Sequence, residues 1–120
     1  ADGVLLTHSI SVSSSYRNID VNNRSKQVGT TGTIRIHNIA IFNRSGAERY
    51  LKLYNSASST NADTPMMVYV LYPQSQYTVN YSTPIEFSTA LCIRATTGIA
   101  DTDSSSPSTN EIVVNITFSQ

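Results

Sequence analysis

The chain has no tryptophan, one cysteine and two histidines, and charged residues fill only 13% of its 120 positions. Each scarcity excludes something. A single cysteine, Cys92, rules out an intrachain disulfide. It sits in the apolar run Leu91-Cys92-Ile93, where a small buried hydrophobe is the expectation, and a reactive thiol would need more basic company than Arg94. Eight basic residues against eight acidic ones leave no net charge. A general electrostatic grip on DNA, RNA or an anionic membrane therefore has no source, and neither nucleic acid nor membrane is expected as a partner. No apolar stretch reaches the length of a membrane-spanning helix, and the N-terminal residues lack a charged region followed by an apolar one. With Ala1 compatible with loss of an initiator Met, this reads as a protein made in a cytoplasm without an export signal. Helical periodicity is missing throughout.

What the chain does have is alternation. Residues 33–54 read TIRIHNIAIFNRSGAERYLKLY and predict a long β-hairpin. Ile34 and Ile36 share one face; Ile39 and Ile41 continue the series one residue out of phase, so either an extra residue near His37 and Asn38, a β-bulge, restores it or the strand is buried on both faces at its far end. Gly46 is available for a positive φ in the turn. On the return strand Leu51 and Leu53 face the core, while Tyr50, Lys52 and Tyr54 form a half-polar, aromatic face suited to solvent or a partner. Elsewhere, residues 4–12 alternate with Leu6, His8, Ile10 and Val12 on one side, and 18–21 suggest a short strand before a polar loop at 22–27. The run 66–72, apolar at nearly every position, predicts a central strand buried on both faces. Residues 76–81, 85–87, 91–97 and 112–118 complete the set. Two long polar loops, 55–63 and 98–110, have the length of segments with a task. About eight short strands with turn signals between them predict one all-β domain over residues 1–120, a jelly-roll-like antiparallel β-sandwich.

Chemistry is sparse. Asp101 and Asp103 alternate on a loop as calcium ligands do, but neither a glycine nor a downstream bidentate glutamate completes the pattern. Turn capping is the expected role, with no metal or other cofactor. His8 and His37 have no nucleophile elbow beside them, no Gly-rich phosphate loop is present, and nothing favours a carboxylate pair among Glu48, Glu86 and Glu111. No catalytic residue is assigned and an enzyme is not expected. Tyrosine, with seven copies, is the main resource: a large apolar ring with a hydroxyl suits interfaces and sugar platforms. Arg49, Tyr50, Lys52, Tyr54, Tyr77 and Tyr81 are the candidate partner-interface residues, with loops 56–63 and 100–109.

The strings IAIFN at 39–43, AERYLKLYN at 47–55, DTP at 63–65, IEFST at 85–89, IRATTG at 93–98 and ADTD at 100–103 together resemble a group of small all-β proteins encoded among the virion structural genes of tailed phages. The likeness covers residues 33–120 and brings no catalytic or ligand residues with it. It implies a virion component made in the host cytoplasm. The expectation that follows is a capsid decoration, or cement, protein: a homotrimer on the capsid surface, bound to the major capsid protein and stabilising the shell. The alternative is a receptor- or glycan-binding module on a tail or capsid appendage.

Overall fold

A computed structural model of the chain describes residues 13–120. The expected strand at 4–12 and the expected face of His8 lie outside them. Eight strands form two four-stranded sheets: β1 (Ser13–Asn18), β2 (Lys26–Val28), β3 (Ile34–Asn43), β4 (Arg49–Tyr54), β5 (Met67–Leu71), β6 (Ser75–Phe87), β7 (Leu91–Thr96) and β8 (Ile112–Ser119). One sheet runs β1-β8-β3-β6 and the other β2-β7-β4-β5, and every pairing within them is antiparallel. Neighbours in sequence change sheet at every described connection except β4 to β5, which is the jelly-roll order of strands. We call the sheets outer-first (β1-β8-β3-β6) and loop-covered (β2-β7-β4-β5).

The core lies between the sheets and comes from alternation. Ile112, Val114, Ile116 and Phe118 of β8 point inward beside Ile34, Ile36, Ile39 and Ile41 of β3, and they meet Leu51, Leu53, Leu91 and Ile93 from the facing sheet. Each such side chain, fully buried, contributes roughly 1.5–3 kcal/mol of transfer free energy. The bulge is present where the slipped phase requires it. The register of β3 shifts between Ile36 and Asn38 against both β6 and β8, so that all four isoleucines face the core. His37, in the bulge, shares a hydrogen bond between Nε2 and Ser119 Oγ at 2.7 Å.

The expected hairpin over 33–54 does not form. β3 and β4 belong to different sheets, and their connection is an arch across the sandwich. The cause is Asn43, which ends β3 completely buried. Its Nδ2 donates to the carbonyls of Ala47 (2.9 Å), Leu71 (3.1 Å) and Tyr72 (3.1 Å), and its Oδ1 accepts from Ser45 N at 2.9 Å. One amide side chain thus ties the β3–β4 arch to the β5–β6 arch; Gln74 N, donating to Ser45 O at 2.9 Å, adds a second tie. Gly46 takes no positive φ. Gly29 (φ 70°) does, where a Cβ would stand 2.7 Å from Gln120 Oε1.

Other boundaries also move. The strand expected at 18–21 is β1, ending at Asn18, with Val21 anchored separately through its N–H to Ile112 O at 3.1 Å. The polar loop at 22–27 gives way to β2 at Lys26. Residues 76–81 and 85–87, expected as two strands, form the single edge strand β6. Four of its residues, 81–84, stand opposite His37 alone, because Asn80 pairs with Asn38 and Ile85 with Ile36. Pro84 falls in that excursion on an edge strand, where a missing N–H breaks no ladder.

Candidate interaction surface

The largest correction concerns the face of β4. Tyr50, Lys52 and Tyr54 do point away from the core, and they pair on the same face with Thr96, Arg94 and Cys92 of β7. Yet Lys52 is 0% exposed and Tyr54 1%, so the face expected to meet a partner is covered by the chain itself. Three segments converge on it. Around residues 22–24, Asn23 O accepts from Arg94 Nε at 2.7 Å. From loop 55–66, Ser59 Oγ accepts from Cys92 Sγ at 3.2 Å. From loop 97–111, Ala100 O accepts from Lys52 Nζ at 2.6 Å. The segments also hold one another: Asn23 Nδ2 donates to Ser104 O at 2.7 Å, and Asn61 Nδ2 donates to Thr102 O at 3.2 Å.

Under this cover two cations sit on one rung, Lys52 directly opposite Arg94. Neither has a carboxylate in salt-bridge contact among the described residues. Arg94 donates to Tyr54 OH at 3.0 Å and lies over its ring, 5.9 Å from the centroid. Burial lowers the Lys52 pKa and Arg94 adds to the effect, while Asp103 and Asp101 on the covering loop oppose it. Burial also raises the Tyr54 hydroxyl, against the pull of Arg94.

Asp103 is spoken for locally. Its Oδ1 accepts from Ser105 N at 2.8 Å and from the Ser105 hydroxyl, and these bonds hold its carboxyl below the ordinary range. Its side chain lies where a Cβ on Gly98 would be, so the loop needs glycine there to let the carboxylate in. No group of three potential metal-ligating side chains occurs among the described residues. Asp103 is a turn acceptor, and both Asp103 and Asp101 are counter-charges to Lys52.

The remaining candidates separate. Arg49 is engaged inside the molecule, with Nε donating to Glu111 Oε1 at 2.6 Å across the two sheets. Tyr50 OH donates to Glu48 Oε1 at 2.9 Å, which raises its pKa. Tyr77 and Tyr81 lie on β6 at the open side of the sandwich, where β5 and β6 are the two edges. There Tyr81 OH hydrogen-bonds Tyr69 OH, and the Tyr69 and Tyr77 rings sit 5.6 Å apart at 50°. Tyr77 is 44% exposed, so of the six residues it is the one most open to a partner.

The run 66–72 is not a central strand. β5 is the edge of the loop-covered sheet, with Tyr69 and Leu71 buried and Val68 and Val70 more than a third exposed. Met66 and Tyr72, flanking the strand, are more exposed still. Sequence reasoning missed this apolar stripe because a strand apolar on both sides reads the same whether its second face is covered or bare. At the far end of the sandwich, Arg44, Thr109, Asn110 and Glu111 line a shallow polar depression of about 320 Å³.

Compared with known proteins, the chain matches no protein-family model and no curated protein sequence.

Proposed function

We propose that this protein is a decoration protein of a tailed-phage capsid, which binds the assembled shell through the joined surface of loops 55–66 and 97–111. The observation that carries the reading is that these loops, long and aperiodic in sequence, meet over one face of a jelly roll through the Asn61–Thr102 bond. A contact surface held in place before binding loses little conformational freedom on docking. The phage-like sequence strings support the same reading, and most of them lie in the strands and loops that build this surface. Lys52, Arg94 and Tyr54 then hold the loops to the sheet and do not touch the partner.

The mechanism is linkage. A protein that binds the closed shell but not dissociated subunits favours the shell by an amount that grows with its free concentration over its dissociation constant. Three linked copies would add avidity without new kinds of contact. The test is the copy number and position of the protein in intact particles by electron cryomicroscopy. Hundreds of copies over capsomer junctions are expected; a few copies on the tail would rule the reading out. Glycan binding is a second reading, favoured by the exposed Tyr77 ring at the sandwich edge. Binding on a glycan array that is lost in Tyr77→Ala would support it.

A further inference from the structure

Among the described strands, four stand at sheet edges: β1 and β6 in one sheet, β2 and β5 in the other. Three carry features that discourage pairing with another chain. β1 reads SSSYRN, polar and charged. β2 is only three residues long and begins with Lys26. β6 carries the four-residue excursion, Pro84 and the Arg35–Glu86 ion pair at 2.9 Å. β5, MVYVL, has no charge, no proline and no register break. The exposed apolar side chains Met66, Val68, Val70 and Tyr72 lie on it or next to it in the chain, and exposed Tyr77 adjoins its Tyr69.

The sequence around β5 is nearly symmetric about Tyr69. Residues 65–73 read PMMVYVLYP, so that Val68 mirrors Val70, Met67 mirrors Leu71 and Pro65 mirrors Pro73. Two copies of such a strand, paired antiparallel about a two-fold axis at Tyr69, set valine opposite valine and methionine opposite leucine. A slip of one residue would set valine opposite tyrosine and bring the outer face of one sheet beside the core-side face of the other. The two prolines, each without an N–H, bound the ladder at both ends. Charge selects the same partner. No Asp, Glu, Lys, Arg or His occurs between Asp63 and Glu86, so the strip neither repels its own copy nor offers a charge to an ionic partner. Its five exposed side chains present roughly 500 Å² per copy, so two copies together offer on the order of 1,000 Å², where specific interfaces begin.

We propose that β5 pairs antiparallel with β5 of a second copy about a two-fold axis at Tyr69, joining the two loop-covered sheets into one of eight strands. Main-chain hydrogen bonds along the edge hold the pair, and Val68 and Val70 set its register. The contact uses one surface twice and closes at two copies. A ring of three cannot be built from it. The inference needs no shell and is tested on isolated full-length protein, so its failure is distinct from a failure of the decoration reading.

The experiment is sedimentation velocity on wild type, two variants and their mixture. Wild type is expected as a dimer. Val68→Lys and Val70→Glu each place two like charges in the apolar contact, and each is expected as a monomer; a cooperative thermal transition shows that it is folded. Mixing them sets Lys at position 68 directly opposite Glu at position 70 of the other chain, and a one-to-one dimer is expected to return. A monomeric wild type, as when the chain's own first twelve residues fill the edge, would overturn the proposal. So would a trimeric wild type, variants that remain dimeric, or a mixture that stays monomeric.

Discussion

β4 and β5 are neighbours in one sheet, and their sequences suggest the reverse of their surroundings. RYLKLY of β4 alternates polar with apolar, as for a strand with one wet face, yet its last four residues are all buried. MVYVL of β5 is apolar throughout, as for a strand covered on both sides, yet alternate positions are open. Alternation reports the polarity of side chains. Coverage is decided by where the strand stands in the sheet and by which loops fold over it. β4 is internal and lies beneath two long loops; β5 is at the edge, beyond their reach.

Substitutions can break or sharpen this contrast. The largest effect is expected from Leu53→Ala, which opens a cavity between the sheets and should lower stability by about 2–5 kcal/mol in urea denaturation. Val70→Ala, one strand away, should change it by less than about 0.5 kcal/mol, and a comparable loss would mean that β5 is covered after all. Arg94→Ala comes next. It strands the Tyr54 hydroxyl and Asn23 carbonyl and should cost about 1–3 kcal/mol by the same measurement.

Lys52→Met should cost less than Arg94→Ala although the two share a rung. Removing a buried charge with no carboxylate in contact offsets the loss of the bond to Ala100 O, and stability at neutral pH should change by less than about 1 kcal/mol in either direction. The folded state depresses the Lys52 pKa. The unfolded chain therefore binds more protons between the folded value and 10.5, and the penalty on wild type is relieved as pH rises through that window. The stability of the variant relative to wild type, read from melting temperatures, should fall on the alkaline side.

Asp103→Asn is the smallest expected change and is confined to acid. The Asp103 pKa is lowered, so its contribution is present above the unfolded value of 3.8 and is lost as pH falls through the folded value. Wild type should lose melting temperature on acidification slightly more steeply than the variant.

Much of the fold was legible in the sequence, and the reasons are specific. The phase slip between Ile36 and Ile39 announced the bulge because four isoleucines can share a face only if one residue is extra. β8 was plain because Ile112, Val114, Ile116 and Phe118 alternate without interruption. The hairpin expectation failed because turn-forming residues at 43–48 serve an arch as well as a hairpin, and only the long-range bonds of Asn43 to Leu71 and Tyr72 choose between them. The candidate surface was half legible. Both long loops were recognised by length and composition, but that they fold onto Lys52 and Tyr54 depends on contacts such as Lys52 with Ala100, which no local pattern encodes. The apolar edge of β5 was hidden for the same reason.

The strand order has a kinetic consequence. Among the described strands, β4 and β5 are the only consecutive pair within one sheet; every other ladder joins strands distant in sequence. Loop-closure entropy must be met before most native contacts can form, so folding is expected in the slow range typical of sandwiches, about milliseconds to seconds. Among the described strands, the β4–β5 hairpin is the one place where pairing can begin locally. Until the rest assembles, that hairpin holds the apolar strand β5, with Val68 and Val70, in the open.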